Sequence, residues 1–201
     1  MFITRGGILM YVLLFASVIT LAVIIERFLV LHKAKKKDDE FIREFEALNS
    51  IADITEYVDS TIIDSPLPNT LKVGIKYLTY GEKDANEEME NRAKMEIKTL
   101  EKHIGVLSTL SAIAPLIGFL GTASGMVKVF MNIGISQGGV DISMLANGIW
   151  EAMLTTIGGL VVGITALVFN NYFVSLIEGT AGKIEETAHH LILKHRESNR
   201  K

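Results

Sequence analysis

The sequence predicts an all-α polytopic membrane protein with three transmembrane helices, two of them extending as long helices into the cytoplasm. Three observations carry that prediction. Of the 201 residues 49% are hydrophobic and the mean hydropathy is +0.33, more apolar than a soluble domain of this size. Charged residues still make up 21%, so the apolar ones must be gathered into blocks. Three blocks are free of charge for about the 20 residues that a helix needs to cross a bilayer. No run alternates with the two-residue period of a strand, and no tandem repeat competes.

The first block covers residues 6–25 and continues past Glu26-Arg27 to residue 31. Only Arg5 precedes it, the apolar run is too long for a secretory signal, and no small-residue cleavage site follows. It ends instead at a basic cluster, a stop-transfer pattern. Residues 1–31 are therefore expected to form the outer N-terminus and the first transmembrane helix. Residues 32–103 are expected to form a helical cytoplasmic domain, in which Phe41, Phe45 and Leu48 fall on one helical face. Pro66 and Pro68 suit a loop ahead of a helix over 69–79, and Gly81 with Asp84 and Asn86 marks a stop and restart. From there Met89, Ala93, Ile97, Leu100, Ile104 and Leu107 keep helical spacing, predicting one unbroken helix that enters the second span, residues 104–131. A short periplasmic loop, residues 132–142, leads to the third span, residues 143–177. The periodicity of Ile177, Ala181, Ile184, Ala188 and Leu191 then extends it as a cytoplasmic C-terminal helix over 178–201.

Lysine and arginine placement sets the expected orientation. Lys33, Lys35, Lys36 and Lys37 follow the first span, and Lys183, Lys194, Arg196, Arg200 and Lys201 follow the third. The N-terminus holds only Arg5, and the glycine-rich loop 134–141 holds neither lysine nor arginine. The N-terminus and that loop should lie outside, and the C-terminus in the cytoplasm. The net charge of −3 says little by comparison. With no cysteine there is no thiol nucleophile, disulfide or thiolate metal site. No P-loop, Rossmann glycines, HExxH or G-x-S-x-G occurs, so the chain reads as no enzyme, with no cofactor, metal or nucleic-acid partner. His189 and His190 point about 100° apart on a helix and read as surface residues rather than ligands.

Inside the spans small residues recur at helical spacing: Ala114 with Gly118, Gly121 with Gly125, and Thr155 with Gly159 and Gly163. Lipid tails provide no hydrophobic drive between helices, so small residues supply the close packing. Such glycines serve a plain bundle and a pore equally. Polar residues add more: Ser111, Thr122, Thr156 and Asn170 lie in apolar surroundings, where an unpaired polar group is costly. Ser111 and Thr122 share a face near Pro115 and Gly118, and Thr156, Gly159, Gly163, Ala166 and Asn170 form a second small, weakly polar stripe. Two such stripes could line a narrow conduit. Equally, each hydroxyl could only bond the carbonyl one turn back. Glu151, at the start of the third span's uncharged core, is either a functional ionisable group or a solvated charge at the outer interface beside Trp150. Glu26-Arg27 reads as a structural pair that snorkels to the inner interface.

The run APLIGFLGTASGMVKVF (114–130) resembles the second span of the ExbB/TolQ/MotA proton-channel family, and NGIWEAMLTTIGGLVVGITALVFNNYF (147–173) its third. The Ile25-Glu26-Arg27 ending of the first span is similar too. One span before the cytoplasmic part and two after it resemble the ExbB/TolQ branch; MotA-type subunits have four spans. The outer N-terminus of about five residues fits TolQ or a compact ExbB. The resemblance implies a bacterial inner-membrane homopentamer around two copies of a single-span ExbD/TolR-type partner, whose membrane aspartate carries the proton. A TonB- or TolA-like protein is a further implied partner. It places Thr122 and Thr156 at the family's pore threonines and Glu151 at its third-span glutamate. Thr165 stands where the family usually has proline, which puts a kink there in doubt, and Met153 to Thr155 depart from the common Leu and Ala. A non-conducting membrane scaffold is the main rival; a substrate transporter lacks the inverted repeat it would need.

Overall fold

The computed structural model describes residues 7–48, 50–135 and 142–198, and all regular secondary structure among them is helical. The elements are α1 (Gly7–Ala47), α2 (Ile51–Ser60), α3 (Pro66–Leu78), α4 (Glu82–Leu100), α5 (Ile104–Ile135) and α6 (Ile142–Ser198). Three of them, α1, α5 and α6, are long and apolar enough to cross a membrane. Two are long, α1 with 41 residues and α6 with 57, well beyond the 20 or so that a bilayer requires; α6 continues past the third span as expected, but the other long helix belongs to the first span rather than the second. Residues 136–141 of the glycine-rich loop, together with Arg5, Arg200 and Lys201, lie outside the described residues.

Two expectations are corrected. Pro66 and Pro68 do not precede α3 but occupy its first turn. A proline there forfeits nothing, because the first helical N–H groups have no partner within the helix. The helix expected to run unbroken into the second span is interrupted: α4 ends at Leu100, residues 101–103 turn, and α5 begins at Ile104. His103 has φ 65°, a left-handed conformation that stops the helix even though the apolar period continues across it. Gly81, at φ 138°, makes the other stop and restart, in a region that an L side chain rarely adopts.

The chain divides into two compact units. The first comprises α1 as far as Glu26, α5, and α6 as far as Tyr172; a core of Leu13, Ala16, Ala114 and Val162 joins the three helices. The second runs from Arg27 to Lys102 and resumes at Phe173. Its larger core includes Phe41 and Phe45 of α1, Ile54 and Val58 of α2, Leu67 and Leu71 of α3, Met89 of α4, and Ile184 and Leu191 of α6. The apolar face read from residues 41–48 and the Ile184, Ala188 and Leu191 part of the face read from 177–191 thus meet in one core. Gly74 lets α4 approach α3, since a Cβ at that position would collide with the Met89 sulfur.

Candidate functional site: the seam between α5 and α6

In the first unit α5 and α6 touch along a line of residues without bulk. A Cβ on Gly118 would lie 2.9 Å from the Thr155 carbonyl oxygen and 3.2 Å from the Gly159 Cα. One on Gly159 would lie 2.5 Å from the Ala114 carbonyl oxygen and 2.9 Å from the Gly118 Cα. Toward one end Gly163 faces the Pro115 ring, where a Cβ would stand 2.6 Å from Cγ. Toward the other, Gly121 faces the Thr155 hydroxyl, and Gly125 faces Ala152, with 2.7 Å left between the two Cβ positions. Backbones this close give each helix the dispersion contact that lipid cannot supply. Pro115 has no N–H to give the Ser111 carbonyl, and that carbonyl lies over Gly163, 3.2 Å from where a Cβ would be.

At the centre of the seam Thr122 and Thr156 meet. Their hydroxyl oxygens are 3.1 Å apart. Thr156 Oγ1 also donates across the seam to the Gly118 carbonyl at 2.9 Å, and Thr122 Oγ1 donates to Phe119 of its own helix at 2.8 Å. Two hydroxyl protons therefore serve three contacts, and more than one arrangement satisfies them. If Thr156 donates to Gly118, Thr122 is free to donate to Thr156 or to Phe119; if Thr122 takes Phe119, Thr156 can turn toward Thr122. Each oxygen keeps a lone pair in every arrangement. Such a pair can relay a hydrogen bond or accept one from a water or carboxyl group placed against it. Both residues are only partly buried in the single chain, so a guest has access.

The other expected residues are distributed around this pair. Ser111 donates to Ser108 at 2.7 Å within its own helix, and Asn170 donates to Asn171 at 3.3 Å; neither joins the threonines. Glu151 is exposed, one turn before Thr155, beside a Trp150 that is itself 53% exposed. Among the described residues Glu151 makes no ion pair. Thr165 donates to the Val161 carbonyl at 2.8 Å and α6 continues through it without interruption.

Sequence reading took Thr155 only as a small packing residue and passed over Thr20 and Lys128. Thr155 is 2% exposed, bonded to the Ala152 carbonyl at 2.7 Å and wedged against Gly121; the match between that glycine and a threonine was the available signal. Thr20 is buried on α1, with its hydroxyl on Ala16 at 2.8 Å. Lys128, exposed near the end of α5, follows the charge-free run by a single residue.

Residues 62–186, which include the whole seam, match the MotA/TolQ/ExbB proton channel family. A putative biopolymer transport protein ExbB-like 1 from Synechocystis is 29% identical over 189 residues, covering 86% of this chain and 69% of its own length. The biopolymer transport protein ExbB of Salmonella typhimurium is 26% identical over 192 residues, covering 90% of this chain and 78% of its own. That of Neisseria meningitidis is 26% identical over 174 residues, covering 80% and 78%. A match across more than half the chain, centred on the two helices whose glycines and hydroxyls interlock, decides the relationship: the chain belongs to the MotA/TolQ/ExbB proton channel family.

Proposed function

We propose that this protein is the ring-forming channel subunit of an inner-membrane motor that uses the proton motive force to do work through a single-span ExbD/TolR-type partner. The observation that carries the proposal is the Thr122–Thr156 hydroxyl pair, 3.1 Å apart on a glycine seam between two membrane-crossing helices. Relatives named biopolymer transport protein ExbB support the ExbB-like branch of the family. Five copies would enclose the seam hydroxyls around two partner helices, with a TonB- or TolA-like protein taking up the work. Thr122 and Thr156 would offer hydrogen bonds to the partner's carboxyl group, and Glu151 would mark the outer approach. The N-terminus faces the periplasm and the lysine-rich segments the cytoplasm in this reading.

The test is reconstitution. The chain would be placed in liposomes alone, with the single-span protein encoded beside it, and with that partner's membrane aspartate changed to asparagine. Proton entry under an imposed potential would be followed with a pH-sensitive dye. Flux is expected only with the intact partner. Equal flux without the partner would defeat the proposal, and no flux in any arm would favour a non-conducting scaffold.

A further inference from the structure

In the second unit three consecutive residues of α1 reach three separate partners. Lys37 Nζ donates to the Asp64 carbonyl at 2.9 Å, Asp38 Oδ1 accepts from the Leu67 N–H at 3.2 Å, and the Asp39 carboxylate pairs with Lys183 of α6. These residues lie beyond the charge-free part of α1, in its run of lysines and aspartates. The first two contacts hold the start of α3, whose need is unusual. Its N-cap, Ser65, makes no side-chain capping bond, and Pro66 and Pro68 on either side of Leu67 have no N–H. Leu67 thus presents the one donor in that stretch, and Asp38 caps it from another helix.

That cap has an unfinished side. Asp38 is 2% exposed and its second oxygen, Oδ2, is buried with no hydrogen-bond partner among the described residues. Ser65, 5% exposed, lies close enough to favour the charged carboxylate, yet its hydroxyl oxygen also completes no hydrogen bond. A buried carboxylate oxygen left unbonded is costly, and a proton removes both the charge and the vacancy.

We propose that Asp38 is a proton-operated joint between α1 and α3. With the carboxyl ionised, Oδ1 caps Leu67 while Oδ2 has near it only the Ser65 hydroxyl, which favours the charged form without completing a bond. A proton taken from solvent onto Oδ2 lets that oxygen donate to Ser65 Oγ while Oδ1 keeps the cap, and α1 closes on the α3 start. The charged groups facing Asp38 are Asp39 on its own helix, which favours protonation, and Lys183 on α6, which opposes it. Nearby Lys37 is engaged by the Asp64 carbonyl, and the Asp64 carboxylate by the Asn69 amide at 3.0 Å. Burial is the largest influence and holds the carboxyl above its ordinary value of 3.8. The folded chain then binds a proton that the unfolded chain releases, so the stabilisation is present at low pH and is lost as pH rises through the raised value.

Asp38→Asn tests this on the full chain in detergent. Asparagine keeps an acceptor for Leu67, gives a donor to Ser65 and carries no charge. Unfolding temperatures of wild type and variant would be compared from about pH 5 to about pH 8. The wild type is expected to lose stability relative to the variant as pH rises, with the variant the more stable at the alkaline end. A protonated-carboxyl infrared band present at acidic pH should disappear in the variant. Asp38→Ala, which loses the cap, should be less stable at every pH. A constant difference between wild type and Asp38→Asn across the range, or an asparagine variant as unstable as alanine, would overturn the proposal.

Discussion

Gly159→Ala places one methyl group where α5 and α6 are closest. The new Cβ would stand 2.5 Å from the Ala114 carbonyl oxygen, 2.9 Å from the Gly118 Cα and 3.0 Å from the Gly118 nitrogen. All three are backbone atoms, so no rotamer change can relieve the clash. Ordinary carbon contacts lie near 3.5–4.0 Å, and the helices must therefore part by about 1 Å. Overpacking of this kind costs about 1–3 kcal/mol. The same displacement would carry the Thr122–Thr156 contact from 3.1 Å to about 4 Å, beyond hydrogen-bonding distance, at roughly another 1 kcal/mol. The sum, about 2–4 kcal/mol, corresponds to a fall in unfolding temperature on the order of 10 °C for a chain of this length. Gly179→Ala is the matched control, since nothing lies within 4 Å of its added Cβ and alanine is the better helix former. Thermal unfolding in detergent and dye-monitored proton flux with the partner would read both variants. Gly159→Ala with wild-type stability and flux would show that the seam does not hold the hydroxyls in place.

Thr156→Ala should abolish energised flux with a stability loss of only about 1 kcal/mol, while Thr156→Ser, which keeps the hydroxyl, should restore most of the flux. Equal activity of the two would mean that the hydroxyl serves only the seam. Glu151→Ala is expected to be severely defective in complementation of a deletion strain at equal membrane levels, and Glu151→Gln to reveal by its own loss how much titration matters. Full activity of the alanine variant would reduce Glu151 to an interfacial charge. Native mass spectrometry in mild detergent should find a closed ring, five copies by family resemblance; a stable monomer or dimer under several conditions would refute enclosure of the seam.

The helical architecture was legible because its physical cause is one-dimensional: a charge-free run of sufficient length has only one way to satisfy its backbone in lipid. The faces of residues 41–48 and 184–191 were legible for a similar reason, since their periodicity marks what is buried and both lie in one core. The α4–α5 break was not, because Leu100, Ile104 and Leu107 stay in register across it while a single left-handed His103 diverts the backbone. A signal existed in Glu26-Arg27. In the first unit the Glu26 carboxylate takes the His103 Nδ1 hydrogen bond at 2.9 Å, and in the second Arg27, nearly buried, donates to the Leu100 carbonyl at 3.4 Å. That carbonyl belongs to the last residue of α4, so the charged pair read as snorkelling to the interface contacts both sides of the break. Within the seam, spacing placed Thr122 and Thr156 on small-residue faces but left two readings open. Which way a hydroxyl turns depends on the neighbouring helix, and one-chain periodicity carries no information about that. The structure shows Thr156 bonding across helices and Thr122 doing both.

The seam's chemistry also bears on what must come from outside it. Every polar group at its centre is a neutral hydroxyl or a backbone carbonyl, and a threonine hydroxyl neither holds an extra proton nor gives one up at physiological pH. The ionisable side chains nearest in sequence, Lys128 and Glu151, are exposed rather than joined to the pair. A hydroxyl relay can orient a proton carrier or solvate it but cannot replace it, and a carboxyl brought against Thr122 and Thr156 would find two hydroxyls 3.1 Å apart, each with a lone pair open and each able to donate only by releasing a present contact. A protonated guest carboxyl could donate to either lone pair, and a hydroxyl that gives up its carbonyl contact could turn its proton toward the charged form, while the glycines keep the two oxygens from moving apart. On this argument the chain alone should be proton-tight. Conduction would then switch on only when a guest carboxyl is present, the dependence that the asparagine-substituted partner isolates.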